Sequence, residues 1–215
     1  MFSKIFPKIH AEGYKFLLIA GVITILFYSF SDFLGLIGLV LTIWVYYFFR
    51  DPERVIINDD NFLVSPADGE VIKVEEVNGP KELNLENKKF KKISIFMNVF
   101  DCHVNRTPCQ GKIEDILYKP GKFFNASLDK ASEDNERNYF KIKDAQNNDI
   151  ILVQIAGLVE RRIVCESNKD QELKQGDRVG MIRFGSRADI YYENYEPLVK
   201  VGQKAISGET LLAKK

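Results

Sequence analysis

Three residues of the sequence have side chains suited to proton transfer or nucleophilic attack. His103, in the phrase FDCHVNRTP, follows an apolar run and could serve as a general base near neutral pH. Asp68, in SPADG, could orient an imidazole, and Ser186, in RFGSR, could supply a hydroxyl nucleophile. Each also fits an ordinary structural role, since an isolated histidine, an Asp-Gly turn and a Gly-Ser turn are all common.

The surroundings of Ser186 narrow its possible chemistry. They lack the second glycine of the G-x-S-x-G nucleophile elbow, and no helix-like segment follows, so a hydrolase of that type is disfavoured. A Gly-Ser pair in a strained turn allows another reaction, because the unhindered carbonyl of Gly185 is open to attack by the neighbouring hydroxyl. On its own, however, the pair is best explained as a turn.

The composition excludes several classes of protein. The 215 residues include 30 Lys and Arg and 30 Asp and Glu, a net charge of zero that argues against nucleic acid as a partner. The three cysteines have no C-x-x-C spacing and there are two histidines, so we expect reduced thiols and no metal site. With 46% hydrophobic residues the chain is not disordered, and its length fits one domain, or one domain with an appendage.

Residues 16–49 form an apolar stretch in which Asp32 is the one charged residue. A polar break at 29–32 divides it into arms of about 15 and 17 residues, roughly 22 and 25 Å as helices, against a hydrocarbon core of about 30 Å. We therefore predict a membrane-associated helical hairpin that crosses the bilayer or dips into it. A signal peptide is disfavoured, because no small-x-small cleavage site follows. A hairpin buried in a soluble core is the other alternative.

Basic residues at the ends of this stretch predict its orientation. Lys4, Lys8 and Lys15 precede it and Arg50 and Arg54 follow it, whereas the break carries no basic residue. Basic residues favour the cytoplasmic side of a membrane. Both ends of the hairpin are therefore expected at the cytoplasmic face of the cell membrane.

Beyond residue 54 the sequence changes to short alternating runs separated by turn residues. Strands are predicted over residues 71–77, 91–100, 112–118, 150–159 and 188–193, and a helix is possible over 127–138. Strands do not alternate with helices, so we predict an α+β fold: a compact, mostly antiparallel β domain preceded by an N-terminal hydrophobic helical hairpin. The predicted domains are residues 1–54, the hairpin and its link, and residues 55–215, the β-rich catalytic domain.

The polar segment 119–138 allows one further interpretation. Asp129-Lys130-Ala131 is similar to the hairpin tip of a lipoyl carrier domain, in which Lys130 would be modified. A strand should follow that tip at once, and SEDNERN (132–138) is too polar for a buried strand. The carrier interpretation is therefore weak.

Several phrases taken in order are more specific than any single residue. The sequence resembles the phosphatidylserine decarboxylase family in the phrases FFRDPER, SPADGEV, NVFDCHVNRTP, GKIEDILYKPGKFFNA, DKASEDNERN, QIAGLVERRIVC and GDRVGMIRFGSRADIYY. It is most similar to the short-chain, bacterial and archaeal-type subgroup. The resemblance spans residues 48–193, and the hydrophobic N-terminal hairpin is in keeping with it.

The resemblance implies a proenzyme that cuts itself between Gly185 and Ser186 into a large subunit (1–185) and a small subunit (186–215). Ser186 would become a covalent pyruvoyl group, the built-in cofactor, which forms a Schiff base with the substrate. His103, oriented by Asp68, would take the proton of Ser186 during the cut and later protonate the product. The reaction would convert phosphatidylserine to phosphatidylethanolamine and CO2. The partners would be the phospholipid, the membrane and the two subunits themselves.

One position departs from the family pattern. Longer members carry two histidines three residues apart in this phrase, whereas here His103 is followed by Arg106. Either His103 serves both maturation and decarboxylation, or maturation uses another base. By charge type alone, the candidates for binding the lipid phosphate or carboxylate are Arg106, Lys130, Arg137 and Arg187. Two other classes stay open: a membrane-anchored Ser-His-Asp hydrolase and a membrane-anchored carrier module.

Overall fold

The computed structural model describes residues 7–122, 126, 134–157, 163–183 and 186–215. The chain forms two compact units, Met1–Glu53 and Arg54–Lys215. Both long helices belong to the first unit, and the extended sheets belong to the second.

The first unit is a helical hairpin. It contains strand β1 (Lys8–Ile9), helix α1 (Gly13–Phe30), helix α2 (Asp32–Phe48) and strand β2 (Arg50–Asp51). At Ser31 the backbone is extended (φ −168°), which ends α1, and the Ser31 hydroxyl accepts the N–H of Phe33 at the start of α2. The two short strands pair with each other. The predicted polar break therefore separates the two helices.

The two helices approach each other through small residues. A side chain at Gly38 of α2 would crowd Thr24 of α1, and Thr24 Oγ1 lies 2.9 Å from Thr42 Oγ1. Such contacts are typical of helices that pair in lipid. Within α1, Gly13 and Thr24 are the buried residues, and most of its large apolar side chains are exposed. This exposure argues against a hairpin buried in a soluble core.

The lengths of the helices fit either form of membrane association. Among the described residues α1 is the one helix that is long and apolar enough to cross a membrane, with 18 residues and a mean hydropathy of 1.7. Helix α2 is apolar but has 17 residues. Helices of this length span about 26 Å, slightly less than a hydrocarbon core of about 30 Å.

The second unit is a β domain built from one large and two small sheets. Its strands are β3 (Phe62–Val64), β4 (Gly69–Asn78), β5 (Lys89–Met97), β6 (Val104–Arg106), β7 (Gly111–Lys119), β8 (Arg137–Asp144), β9 (Asp149–Ile155), β10 (Ile163–Cys165), β11 (Glu172–Leu173), β12 (Arg178–Ile182), β13 (Ser186–Tyr192), β14 (Glu196–Pro197), β15 (Lys204–Ala205) and β16 (Leu211–Lys214), with a 3-10 turn at Lys81–Leu83. The large sheet has the order β11-β7-β8-β9-β13-β5-β4-β15, and the small sheets have the orders β10-β12-β6 and β14-β16-β3. Every pairing between these strands is antiparallel. The predicted α+β fold class is confirmed.

The large sheet carries an apolar layer on each face. Alternate residues of β5, such as Ile93 and Ile95, point into the larger layer together with Leu152 of β9. The smaller layer, on the other face, consists of Phe90, Tyr139, Ile151, Val153 and Ile155. Strand β9 is buried along its whole length because it contributes to both layers, which explains its continuous apolar run. Strands β9 and β13 therefore form the centre of the sheet.

Three predictions about the strands were wrong. The strand predicted over 91–100 ends at Met97, because the side chains of Asn98 and Asp101 bond to the backbone and form a turn. The strand predicted over 150–159 ends at Ile155. Residues 137–138 begin strand β8 and are buried. The possible helix over 127–138 therefore does not include them, and the prediction that 132–138 is too polar for a buried strand was wrong for these two residues. The rest of the possible helix, residues 127–133, lies outside the described residues.

Candidate active site

Ser186 is the first residue of β13, the strand that lies between β9 and β5. Its cross-strand neighbour on β5 is Met97, and both residues are fully buried. Ser186 Oγ makes no hydrogen bond to any part of the chain that the structure describes. The buried hydroxyls of Ser94, Ser167, Tyr192 and Ser207 also lack a partner among the described residues, so the missing bond does not by itself distinguish Ser186. Gly185, the other half of the predicted cleavage site, and Lys130 both lie outside the described residues.

His103 is held beside the segment that leads to Ser186. It precedes β6, and β6 pairs with β12, which ends at Ile182. The backbone carbonyl of His103 accepts the N–H of Ile182 at 3.2 Å. The ring is fully buried, and its Nδ1 lies 3.0 Å from the carbonyl oxygen of Asp101. Because a carbonyl can only accept, Nδ1 carries the proton and Nε2 is the basic nitrogen of the neutral ring.

Asp68 precedes β4, at the end of the large sheet where β13 begins. Arg54 Nη2 donates to its two carboxylate oxygens at 2.9 and 2.7 Å, and the N–H of Ser207 donates to Oδ1 at 2.8 Å. The side chains of Arg54 and Asp68 are each 13% exposed. Among the described residues the carboxylate is thus bonded to Arg54 and Ser207, and not to His103.

The turn that carries Asp68 is fixed by its neighbours. Gly69 has a φ of 150°, and a side chain there would collide with the carbonyl oxygen of Phe96 on β5. The backbone N–H of Arg106 donates to the carbonyl of Pro66 at 2.9 Å. The Arg106 side chain is buried, and its Nη1 donates to the carbonyl of Gly176 at 2.9 Å. Arg106 therefore helps to hold this turn in place.

Two candidate ligands for the lipid phosphate lie on the other face of the sheet. Arg187 follows Ser186, and strand alternation turns it away from the face that Ser186 occupies. Its guanidinium makes two hydrogen bonds of 2.6 Å to Asp189, and both side chains are buried. Arg137 lies on the same face as Arg187, with Nη2 3.3 Å from Glu82 Oε1. These two guanidinium groups each face an acidic side chain.

The cleft on that face carries balanced charge. Its charged lining residues are Lys81, Glu82, Glu86, Lys92, Arg137 and Asp189. Burial raises the pKa of Glu82, but the Lys119 hydrogen bond and the Arg137 charge outweigh burial and hold that pKa below its usual value. Glu82 is therefore ionised at neutral pH and offsets the cationic groups. Charge alone does not favour an anion in this cleft.

Comparison with known proteins decides between the classes that the sequence left open. A profile of the family described as phosphatidylserine decarboxylase matches residues 41–213. The chain is 76% identical over its full length to the phosphatidylserine decarboxylase proenzyme of Pelagibacter ubique, all of which it covers. It is 54% identical to that of Ruegeria pomeroyi, over 95% of this chain and 94% of the relative. It is 47% identical to that of Rickettsia prowazekii, over 99% of this chain and 92% of the relative. The chain belongs to the phosphatidylserine decarboxylase family.

Membership of this family confirms the predicted enzyme class. The chain is a carboxy-lyase, and phosphatidylserine decarboxylation is the activity that the family carries. The serine hydrolase alternative is not favoured. The length of 215 residues is consistent with the short-chain subgroup. The apolar helix α1 together with the family indicates membrane association.

Three buried amides near Ser186 were missed by sequence reasoning. Gln154 Nε2 donates to Asn105 Oδ1 at 3.0 Å, and Asn138 Nδ2 donates to Gln154 Oε1 at 3.3 Å. Asn105 Nδ2 lies 3.6 Å from the sulfur of Met97, the cross-strand neighbour of Ser186. The available signal was the glutamine in the apolar run IILVQIAG, where a buried strand would otherwise be apolar throughout.

Proposed function

We propose that the chain cuts itself between Gly185 and Ser186, and that Ser186 becomes the pyruvoyl group used to decarboxylate phosphatidylserine. The observation that carries this proposal is the position of the Ser186 hydroxyl. It is fully buried at the start of β13, four residues after Ile182, which is bonded to the backbone of His103, and no described residue bonds to it. In a chain whose relatives are named proenzymes, an unsatisfied hydroxyl beside the proposed scissile bond suits self-cleavage.

The proposed cut requires no oxidant or reductant. Ser186 Oγ attacks the carbonyl carbon of Gly185, and the peptide C–N bond breaks as an ester forms. Loss of the Cα proton of residue 186 expels Gly185 as a carboxylate and leaves dehydroalanine at the new amino terminus. Water then replaces the nitrogen, which leaves as ammonia, and the pyruvoyl ketone remains. The net reaction consumes one water.

His103 is the proposed base for this cut. Its Nδ1–H bond to the carbonyl of Asp101 leaves Nε2 able to accept the proton of Ser186 Oγ. The backbone bond to Ile182 holds His103 next to the segment that ends at Ser186. Once protonated, the same nitrogen is suited to protonate the carbon that has lost CO2.

The surroundings of Ser186 fit a pyruvoyl group. When present, this group supplies a ketone that accepts the electrons freed as CO2 leaves. Met97, the cross-strand neighbour of Ser186, and Ala188 are fully buried next to this position. Asn105, in contact with Met97, places a buried amide close by. These residues provide an apolar setting with one nearby polar group.

Asp68 is proposed to assist maturation, as the family resemblance implies. In the described structure its carboxylate is bonded to Arg54 and Ser207. His103 Nδ1 is bonded to the carbonyl of Asp101, so a direct bond from this nitrogen to Asp68 would require the ring to leave that carbonyl. We propose that Asp68 acts after such a change, and that Arg54 holds the carboxylate until then.

The two proposed subunits, residues 1–185 and 186–215, would stay together after the cut. Strand β13 of the small subunit is bonded along one edge to β9 and along the other to β5. Two further strands of that subunit pair with β4 and β3. Separation would break the centre of the large sheet. We place the assembly at the cytoplasmic face of the cell membrane, because basic residues flank both ends of the hairpin.

The test is the intact mass of purified wild-type and Ser186→Ala proteins under denaturing conditions. We expect two pieces from the wild type, residues 1–185 and a pyruvoyl-blocked 186–215, and one uncut chain from Ser186→Ala. The cut protein should decarboxylate phosphatidylserine in vesicles and lose this activity when borohydride reduces the ketone. An intact, active wild-type chain with an unmodified Ser186 would refute the proposal.

A further inference from the structure

The turn between β5 and His103 exposes two apolar side chains. Phe100 is 63% exposed and Val99 is 39% exposed. The N–H of Asn98 donates to Asp101 Oδ2 at 2.8 Å, and the N–H of Phe100 donates to Asn98 Oδ1 at 2.8 Å. The N–H of Asp101 also donates to the Asn98 carbonyl at 3.0 Å. Because these bonds fix the turn, the exposure of Phe100 is a feature of the fold.

Two more exposed apolar residues lie at the same end of the large sheet. Ile206, which is 42% exposed, follows β15, and β15 pairs with the start of β4 beside the end of β5. Strands in a sheet are about 4.8 Å apart, and one strand lies between β15 and β5, so these two strands are about 10 Å apart. Val55 is 80% exposed, and its N–H binds Glu209 in the turn after Ile206. We call Val55, Val99, Phe100 and Ile206 the apolar rim.

The apolar rim adjoins the proposed catalytic residues. The carbonyl of Asp101, in the Phe100 turn, accepts a hydrogen bond from the ring of His103. The residue after Ile206 donates its N–H to Asp68. Strand β13 begins with Ser186 at this same end of the sheet. The rim and the site therefore share one end of the β domain.

The opposite end of the large sheet has a different surface. The exposed residues in its β4–β5 and β8–β9 connections are mostly polar: Lys81, Asn84, Glu86, Asn87, Ala145, Gln146 and Asn147. Exposed side chains are apolar at the end of the sheet that carries the site and mostly polar at the opposite end. This difference indicates that the end with the site contacts an apolar partner.

We propose that the apolar rim inserts into the surface of the lipid bilayer and docks the β domain there with its site facing the head groups. The effect of this docking on decarboxylation rests on the proposed function. Lipid is favoured over a protein partner because the rim consists of separate apolar side chains on fixed turns with polar backbone between them. A stable protein interface needs about 800 Å² of continuous complementary surface on each side. The head-group layer of a bilayer is fluid and accommodates single side chains.

Chain connectivity also favours lipid as the occupant. The β domain begins at Arg54, a few residues after apolar helix α2 ends at Phe48. A domain held near a bilayer meets its surface at a high effective concentration, so a small apolar rim suffices as a second contact. The substrate's reacting group lies in the head-group layer, which is the depth that interfacial side chains reach.

The first experiment maps lipid contacts in the full-length wild-type protein. The chain is reconstituted into phosphatidylcholine and phosphatidylserine vesicles that contain a lipid with a photoreactive diazirine near the head group. After illumination, peptide mapping should show label on residues 98–101, at least fivefold above label on the β4–β5 connection at the opposite end. Label on residues 98–101 that is absent, or equal to the label on the β4–β5 connection, would overturn the proposal. The same result is expected if a protein partner, and not lipid, covers the turn. This readout does not depend on cleavage or activity.

The second experiment compares two forms of substrate. The variant with Val99→Asp and Phe100→Asp should lose at least tenfold in activity on phosphatidylserine in vesicles and stay within twofold of wild type on a monomeric short-chain phosphatidylserine. The matched control is Leu198→Asp, because Leu198 is 49% exposed and follows β14, which contacts Lys91 away from the site. The control should keep both activities.

The outcomes separate docking from catalysis. Equal activity of wild type and the double variant on vesicles would overturn docking. Docking would also be overturned if the double variant is fully cut but loses the same fraction of its activity on vesicles and on the monomeric substrate. A wild type that remains uncut and inactive on both substrates would refute the proposed function, while the photolabelling still tests the rim. If the double variant does not fold, Phe100→Ser, judged by the same two substrates, replaces it.

Discussion

The backbone carbonyl of His103 accepts the N–H of Ile182, and Ser186 lies four residues farther along the chain. This bond belongs to the small sheet of β10, β12 and β6, whereas Ser186 begins a strand of the large sheet. The proposed cleavage site therefore lies where the chain passes from one sheet to the other. The base and the nucleophile are held by different sheets, and their approach depends on both.

Removal of the imidazole tests whether one residue serves both chemical steps. The chain has two histidines, and His103 is the one in the β domain. General acid–base catalysis contributes about 10²–10⁴-fold, so His103→Ala should slow self-cleavage at least 100-fold. Pulse-labelled synthesis followed by gel analysis measures the cut, and added imidazole should partly restore it. A His103→Ala chain that cuts at the wild-type rate but is inactive would confine His103 to decarboxylation.

A pair of variants separates the chemistry of Asp68 from its ion pair with Arg54. Asp68→Asn and Arg54→Gln both remove the ion pair, in which the two side chains are each 13% exposed. Each should lower the free energy of unfolding by about 1–3 kcal/mol, since one partner is left mostly buried. Because Arg54→Gln keeps the carboxylate, it should cut at least tenfold faster than Asp68→Asn. Equal cutting rates at equal stability would assign Asp68 a structural role.

The buried amides should contribute measurably to stability. Gln154→Leu leaves Asn105 Oδ1 and Asn138 Nδ2 without the partner each has in the structure. An unsatisfied buried polar atom costs about 1–3 kcal/mol, so the unfolding free energy should fall by about 2–4 kcal/mol. Denaturant unfolding in detergent measures this, in the uncut Ser186→Ala background so that one chain unfolds. The exposed Gln110→Leu serves as control and should stay within about 0.5 kcal/mol. Equal losses of unfolding free energy in Gln154→Leu and Gln110→Leu would contradict a stabilising role for the buried amide network.

Acid should destabilise the domain through Asp149. Lys88 and Lys143 each place Nζ 2.7 Å from one of its carboxylate oxygens. Burial raises the pKa of Asp149, but the ion pairs with Lys143 and Lys88 and the nearby charge of Lys141 outweigh burial and hold that pKa below its usual value. A carboxylate with a lowered folded pKa stabilises the fold above its unfolded pKa of about 3.9 and loses this contribution as the pH falls through the folded pKa.

Thermal unfolding of the uncut Ser186→Ala protein between pH 3 and 7 checks this contribution. We expect Asp149→Asn to lower Tm at pH 7 and to flatten the loss of Tm below about pH 4. Asp170→Asn is the control, because Asp170 pairs with Lys112 at the surface, where solvent screens the interaction. The same pH profile in the Asp149→Asn and Ser186→Ala proteins would contradict the assignment.

The sequence predicted those elements whose local pattern matches their final environment. Apolar runs and the polar break at 29–32 gave the helical hairpin, and alternating runs gave the centres of β4, β5, β7, β9 and β13. Strand β8 was not predicted. It carries Arg137, Lys141 and Lys143 within its length, and it is stable as a strand because acidic groups such as Asp149 pair with these cations. Glu82, the partner of Arg137, lies far away in the sequence, and Asp149 lies across the turn between β8 and β9, so these pairs form only when the strands come together.

For the site, the sequence by itself determined which groups are available: one Gly-Ser pair, one imidazole in the β domain and the order of phrases that marks the family. The tertiary structure alone decided that Asp68 is paired with Arg54, that Ser186 Oγ is buried without a described partner, and that apolar side chains crowd the same end of the sheet. The physical reason is that residue type and local spacing fix chemistry and periodicity. Burial, partner and direction depend on strands that meet only when distant segments pair into a sheet.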